Sequence, residues 1–119
     1  MTASEIRYLL TIINLEKNGA VRLSDIANHI GCSKPSVTRA TDNLEFRGYI
    51  KKGSNVELTP KGREEGQKLT AIARYLEKEI LSRLAPSARA AQRDAIEIMG
   101  AISPCNLEKL YEISQNSAD

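Results

Sequence analysis

The sequence predicts a mainly α-helical protein that carries one small β-hairpin. Apolar residues recur at helical spacing along most of the chain. Strand-forming residues lie on both sides of a Gly-Ser-Asn turn at residues 53–55. Glycine and proline divide the helical segments at short intervals.

Length and composition limit the architecture and the compartment. A chain of 119 residues is one domain, or one small domain with a dimerisation extension. With no Trp and one Phe, the core must be aliphatic. No apolar run is long enough to cross a membrane, and the N-terminus lacks a signal pattern. Two cysteines do not form a disulfide framework, so we expect a cytoplasmic protein without a membrane partner.

The charge is small overall but unevenly distributed. The formal net charge is +2, which is too low for a general polybasic nucleic-acid binder. Residues 33–63 hold seven basic and three acidic residues, whereas residues 64–119 hold seven basic and nine acidic residues. The positive excess therefore marks residues 33–63 as the segment suited to meet phosphate groups.

The first predicted helix covers residues 3–17 and ends at Asn18-Gly19. Its buried stripe consists of Ile6, Leu9, Leu10 and Ile13. Ile12 and Leu15 lie partly outside this stripe and predict a second apolar face. That face serves either the C-terminal helices of the same chain or a second copy of the chain.

The next segment has the signals of two helices joined by a sharp turn. We expect a short strand at residues 20–23, followed by a two-turn helix with Ser24 as its N-cap. Gly31 closes this helix. Ser33 caps a second helix that runs to about Arg47, with Pro35 in its first turn.

The second of these helices has a polar outward face that is suited to DNA. Val37, Ala40, Thr41 and Leu44 cluster inward on a helical wheel. Small polar side chains near the N-terminus of such a helix can approach base edges in the major groove. Arg39 is the leading candidate for a base or phosphate contact, whereas Asp42 does not suit phosphate. The predicted DNA-binding residues of this segment are Ser33, Lys34, Pro35, Ser36, Thr38, Arg39 and Asn43.

A hairpin follows this helix. Strands are predicted at residues 49–52 and 56–58, on either side of the turn at 53–55. Lys51 and Lys52 near its tip, together with Lys61, are predicted to contact the DNA backbone only. The alternative is a solvated hairpin whose lysines serve solubility. Helix, turn, helix and hairpin together predict a winged helix-turn-helix DNA-binding domain at residues 1–62.

The rest of the chain predicts a helical dimerisation domain at residues 63–119. A helix beginning at Thr59-Pro60 and ending near Leu84 is about 37 Å long, more than a domain this small needs for its own core. A break is expected at residues 85–87, followed by a helix to Ile102. Ser103-Pro104 begins a last helix that ends near Ser114, before a frayed tail. We therefore expect a homodimer.

Several short motifs resemble the diphtheria-toxin-repressor family of metal-dependent bacterial transcriptional regulators. They lie in residues 24–27, 33–39, 44–45, 48–50, 58–62, 74–77, 102–104 and 107–110. The resemblance implies a DNA-binding homodimer, a repressor role, and control by iron or manganese. The sequence stops where larger members append a third domain, so the resemblance is to the short, two-domain manganese-regulator type.

The family's metal ligands do not match this sequence. The resemblance places the ligand positions at Arg7, Leu10, Ala73, Ile96, Met99 and Gly100. Iron and manganese need converging carboxylate, imidazole or thiolate donors, which these residues do not provide. We therefore expect no metal cofactor, and control that is either absent or exerted by a small-molecule effector.

Two further features have weaker functional interpretations. His29 and Cys32 are spaced like two metal ligands, but a surface histidine beside a turn is the simpler interpretation. Cys105 is expected to be a partly buried thiol in the first turn of the last helix. An enzyme is excluded because the sequence shows no nucleophile and base arrangement. The alternative function is a winged-helix protein-interaction module without specific DNA binding.

Overall fold

The structure is a computed structural model that describes residues 1–84 and 87–116. Its helices are α1 (Ala3–Glu16), α2 (Leu23–Ile30), α3 (Lys34–Phe46), α4 (Pro60–Glu79), α5 (Ala88–Ala101) and α6 (Pro104–Asn116). A 3₁₀ turn at Leu81–Arg83 follows α4, and strands β1 (Ile50–Lys52) and β2 (Val56–Leu58) form an antiparallel hairpin. No helix in the described part of the chain is long and apolar enough to span a bilayer.

The described residues form two compact units. The N-terminal unit contains residues 7–66. The C-terminal unit contains residues 1–6 and the described residues from 67 onward. Residues of α1 and α4 are therefore found in both units.

The N-terminal unit is a winged helix-turn-helix, as the sequence predicts. Gly31 ends α2 with a φ of 78° and donates its N–H to the Ala27 carbonyl at 2.8 Å. This left-handed conformation suits glycine, and it allows α3 to begin three residues later. The core is aliphatic and includes Leu9, Ile12, Val21, Ile26, Val37, Leu44 and Ile50.

The hairpin, here called the wing, follows α3 closely. Lys52 pairs with Val56 across the three-residue turn. Val56 also donates its N–H to the Val21 carbonyl at 2.7 Å, which forms a single β-bridge. The turn end of β2 is thus held on its second side by the chain that precedes α2.

The C-terminal unit packs α4, α5 and α6 around its own aliphatic core. Buried members are Leu69, Ile72, Leu76, Leu81, Ala91, Ala95 and Met99. Lys68 of α4 forms an ion pair with Glu108 of α6 and lies over the Tyr111 ring. Ser87 and Ser103 cap α5 and α6, near the helix starts that the sequence predicts.

The start of α2 differs from the prediction. The expected strand at residues 20–23 is only the bridge made by Val21, and Ser24 is not the N-cap. The N-cap is instead Arg22, two residues earlier, because the Asp25 carboxylate accepts the Arg22 N–H at 2.9 Å and secures the helix start there.

Two helix ends and two side-chain exposures near the C-terminus also differ. The long helix ends at Glu79 rather than near Leu84. Just beyond this end, the Ser82 hydroxyl donates to the Lys78 carbonyl at 2.6 Å and competes with the backbone hydrogen bonds of the helix. The sequence also predicts an apolar stripe along this helix, made of Leu69, Ile72, Ala73, Leu76 and Ile80. Ile80 lies just beyond the end of α4 and is exposed. The last helix continues to Asn116, and Cys105 is exposed rather than partly buried because it lies on the outer side of the first turn of α6. The predicted break at residues 85–86 and the tail from residue 117 lie outside the described residues.

Candidate nucleic-acid interface

The N-terminus of α3 is capped by a serine. Ser33 Oγ accepts the Ser36 N–H at 3.4 Å and lies 2.9 Å from the Ser36 hydroxyl. Pro35 occupies the first turn, where the missing N–H costs nothing. Ser33, Lys34 and Pro35 are exposed, and Ser36 is half-buried. The N-terminus of the helix therefore presents mostly short side chains to solvent.

The outward face of α3 carries polar side chains over two further turns. Thr38, Arg39, Asp42 and Asn43 are all exposed, whereas Val37, Thr41 and Leu44 are buried. The Thr38 hydroxyl donates to the Lys34 carbonyl at 3.0 Å, so its oxygen faces outward mainly as an acceptor. This division into two faces is the one that the helical wheel predicts.

The three predicted lysines of the wing and α4 have different surroundings. Lys51 is exposed. Lys52 places its ammonium 2.6 Å from Asp42 Oδ1. Lys61 donates to the Arg47 carbonyl at 2.8 Å and lies 4.7 Å from the centre of the Tyr49 ring. Lys51 is therefore the member of this set whose geometry best suits a backbone phosphate.

Sequence reasoning missed a basic cleft beside the wing. A cleft of about 260 Å³ is lined by Arg22, Ser24, Lys34 and Lys52 together with the turn of the wing. Arg22 lies before α2 and was not among the predicted contacts. The sequence feature that could have indicated Arg22 is its position at the start of α2. A cation there is electrostatically unfavourable unless an acidic residue or a ligand balances it.

Phe46 is the second feature that was not predicted. It ends α3, and its side chain is 91% exposed. It follows Asp42 and Asn43 by four and three residues, so it continues the outward face of the helix. A large apolar side chain on a polar face is a candidate contact for another molecule.

Cys32 lies in the turn between α2 and α3 and contacts α1. Its sulfur is 3.3 Å from the Tyr8 hydroxyl. Burial, and then the hydrogen bond with Cys32, raises the pKa of Tyr8 to about 12. His29 is exposed at the end of α2, in agreement with the simpler interpretation of a surface histidine.

The positions of the family's metal ligands do not fit a metal. Ala73 and Met99 are buried in the core of the C-terminal unit, and Ile96 and Gly100 are partly buried. Arg7 is a cation, and Leu10 has no donor atom. The described residues contain no group of three or more His, Cys, Asp or Glu side chains that could hold a metal ion. The donor set therefore does not suit iron or manganese.

The C-terminal unit has an open cleft that is mostly apolar. It measures about 550 Å³ and is lined by Arg74, Glu77, Lys78, Ala88 and Ala91, among others. Burial raises the pKa of Glu77 above its usual value, against the opposing effect of Arg74. The cleft is large enough for a small organic molecule.

Comparisons with known proteins agree with this fold. The MarR family model matches residues 1–57. The HTH-type transcriptional regulator MntR of Geobacillus kaustophilus is 37% identical over 68 residues, which cover 56% of this chain and 48% of the relative. The chain thus spans about half the length of this curated relative.

Solved structures with the same fold cover nearly the whole chain. The manganese regulator SloR has a TM-score of 0.75 at 23% identity, covering 97% of this chain and 55% of that one. The hypothetical protein SSo2273 from Sulfolobus solfataricus has a TM-score of 0.71 at 23% identity, covering 99% and 92%. IdeR of T. acidophilum has a TM-score of 0.63 at 19% identity, covering 95% and 54%. These structures share the winged helix-turn-helix fold of this chain. Membership of the diphtheria-toxin-repressor family stays a prediction.

Proposed function

We propose that this chain is a sequence-specific DNA-binding transcriptional regulator that acts as a homodimeric repressor. The observation that carries the proposal is the exposed polar face of α3, which is capped at Ser33 and flanked by the wing. In helix-turn-helix proteins the second helix enters the major groove with its N-terminal residues at the base edges. The match to the MntR relative, which is named a transcriptional regulator, supports this function.

The geometry divides the roles of the side chains. Arg39 and Asn43 have the chemistry to read guanine and adenine, respectively. Thr38 adds an acceptor beside them. Lys34 and Arg22 line the basic cleft, and Lys51 extends from the wing. These three cations are assigned to phosphates, where they provide affinity without sequence preference.

Dimerisation is assigned to the C-terminal unit. Ile80, Leu84 and Ile113 are large apolar side chains that are exposed there. A second copy of the chain would cover such residues and place two copies of α3 on successive turns of DNA, about 34 Å apart. Sedimentation equilibrium tests this step, and a monomer at all concentrations would contradict it.

Control by iron or manganese is not part of the proposal. Ala73, Ile96 and Met99 supply packing where the family resemblance implies metal ligands, so we propose that operator binding does not depend on metal. A small organic effector in the cleft lined by Arg74 and Glu77 is the alternative form of control.

The central experiment is selection of binding sites from random DNA with the full chain, in the presence of chelator and then of added manganese or iron. We expect one preferred site under both conditions. Its affinity should fall steeply with salt, by about 0.9 logarithmic units per phosphate contact for each tenfold rise in salt. Arg39→Glu should abolish binding, whereas the matched control Arg93→Glu on α5 should not. Failure to select any sequence would overturn the function, and a large gain with metal would overturn metal independence.

A protein-interaction module is the second candidate, and Phe46 is the observation that favours it. An apolar side chain that is 91% exposed can anchor a protein partner. Binding through Phe46 should depend weakly on salt and should survive Arg39→Glu, whereas Phe46→Ser should abolish it. DNA binding should instead depend steeply on salt, be lost in Arg39→Glu and survive Phe46→Ser.

A further inference from the structure

Asp42 and Lys52 form an ion pair between α3 and the wing. Lys52 Nζ lies 2.6 Å from Asp42 Oδ1. The lysine side chain is only 17% exposed, whereas the aspartate side chain is 62% exposed. The cation is therefore packed against the protein while the carboxylate remains accessible from the outward face of α3.

A second carboxylate of α3 fixes the same lysine. The backbone N–H of Lys52 donates to Glu45 Oε2 at 2.6 Å. Asp42 and Glu45 are three residues apart and lie on neighbouring turns of α3. Lys52 is therefore held both at its backbone N–H, by Glu45, and at its ammonium, by Asp42. These two contacts define the position of the ammonium beside Asp42.

Asp42 lies among the proposed base-reading residues. It follows Arg39 by three residues, about 4.5 Å along the helix axis, and it precedes Asn43. An uncompensated carboxylate at this place would be repelled by the DNA phosphates. Lys52 offsets that charge, and a carboxylate has about four acceptor sites, so one ammonium does not saturate it.

We propose that Asp42 reads a cytosine by accepting a hydrogen bond from its N4 amino group, and that Lys52 is a positioning residue that orients and neutralises the carboxylate. Cytosine presents a donor in the major groove, and an acceptor-only side chain matches it. The assignment rests on the proposed function. It adds a base preference that the sequence alone does not suggest, since the sequence indicates only that Asp42 is unsuited to phosphate.

Binding-site selection with Asp42 variants tests the assignment directly. The wild-type chain should prefer C·G at one base pair of each half-site. Asp42→Ala should reduce that preference by roughly 5- to 100-fold, the range expected for one specific base contact. Asp42→Asn should shift the preference toward A·T, because an amide pairs with adenine N6 and N7.

Lys52→Met separates positioning from reading. It keeps the length of the side chain but removes the charge, so affinity should fall for all sequences while the sequence with C·G remains the best. In the Asp42→Ala background the same substitution should have a smaller effect, because there is no carboxylate left to neutralise. Glu57→Ala, which removes an exposed carboxylate from β2, is the matched control and should alter affinity without altering base preference.

Three results would overturn the assignment. Asp42→Ala could raise affinity for all sequences equally, which would show that the carboxylate only repels DNA. Asp42→Ala and Arg39→Ala could each weaken the base preference at the same base pair and at no other, which would show that Asp42 acts only through Arg39. A wild-type chain that selects no sequence would overturn the proposed function itself, and this assignment with it.

Discussion

A methyl group at Gly62 would lie 1.8 Å from the carbonyl oxygen of Tyr49. The first turn of α4 therefore approaches the backbone at the start of the wing too closely for any side chain. Thr59 strengthens the same junction, because its hydroxyl donates to the Gly48 carbonyl at 2.6 Å and accepts the Gly62 N–H at 3.0 Å. The Thr-Pro-Lys-Gly sequence at residues 59–62 thus joins α4 to the chain that leaves α3.

Gly62→Ala should destabilise the fold although alanine is the better helix former. Backbone atoms on both sides must shift to admit the methyl group, and overpacking of this kind costs about 1–3 kcal/mol. Urea denaturation with the linear extrapolation measures the change. Gly53→Ala in the wing turn is the matched control, because nothing lies within 4 Å of the position that its methyl group would take. Equal stability of the two variants would contradict the close approach.

Local signals made much of the fold predictable from the sequence. Ser33 caps α3 as predicted, and Ser103 caps α6 where the Ser-Pro pair indicates a helix start. The inward and outward faces of α3 also agree with the helical wheel. Caps and helical periodicity depend on residues within one or two turns, so a single sequence contains the information that they need.

Features that depend on distant residues were not predictable in the same way. The pairing of Asp42 with Lys52 joins residues ten positions apart, and nothing in either segment alone indicates it. The end of α4 was placed too late because Ile80 and Leu84, four residues apart, keep the helical spacing beyond Glu79, where α4 ends. The exposure of Cys105 depends on which side of α6 faces the rest of its unit, which a short amphipathic pattern does not determine.

Lys61 should contribute more to stability than Lys51. Both side chains are exposed, but the Lys61 ammonium binds the Arg47 carbonyl at the end of α3 and lies over the Tyr49 ring. Lys61→Ala should lower the free energy of unfolding by about 1 kcal/mol, since it removes a favourable charge at a helix C-terminus and a cation–π contact. Lys51→Ala should change it by less than about 0.5 kcal/mol. In DNA binding the order should reverse, and an equal loss of affinity in both variants would contradict this division.

Tyr8 should make stability fall at high pH. Its pKa is raised from 10.0 to about 12 by burial and by its hydrogen bond with Cys32. The folded state therefore keeps the phenol neutral where the unfolded state ionises it. The contribution of neutral Tyr8 to the free energy of unfolding is fully present below about pH 10 and is lost as the pH rises toward 12. Urea midpoints measured between about pH 8 and pH 11 should fall less for Tyr8→Phe than for the wild type. Tyr75→Phe controls for the loss of a phenol elsewhere, and parallel curves for wild type and Tyr8→Phe would contradict the prediction.

Glu45→Ala should loosen the wing without unfolding the N-terminal unit. The Glu45 carboxylate accepts the Lys52 N–H at 2.6 Å, and this contact joins α3 to β1. Because the site is exposed, the net value of this charge-assisted bond is about 1 kcal/mol, or roughly a fivefold change in local opening. Hydrogen exchange of the Lys52 amide should therefore accelerate by about fivefold, while the buried amides of α3 keep their protection. Glu57→Ala, which removes a carboxylate from β2, should leave the Lys52 amide unchanged. If exchange of the Lys52 amide and of the buried α3 amides both accelerated, the substitution would have destabilised the whole unit. Loss of a local contact should accelerate only the Lys52 amide.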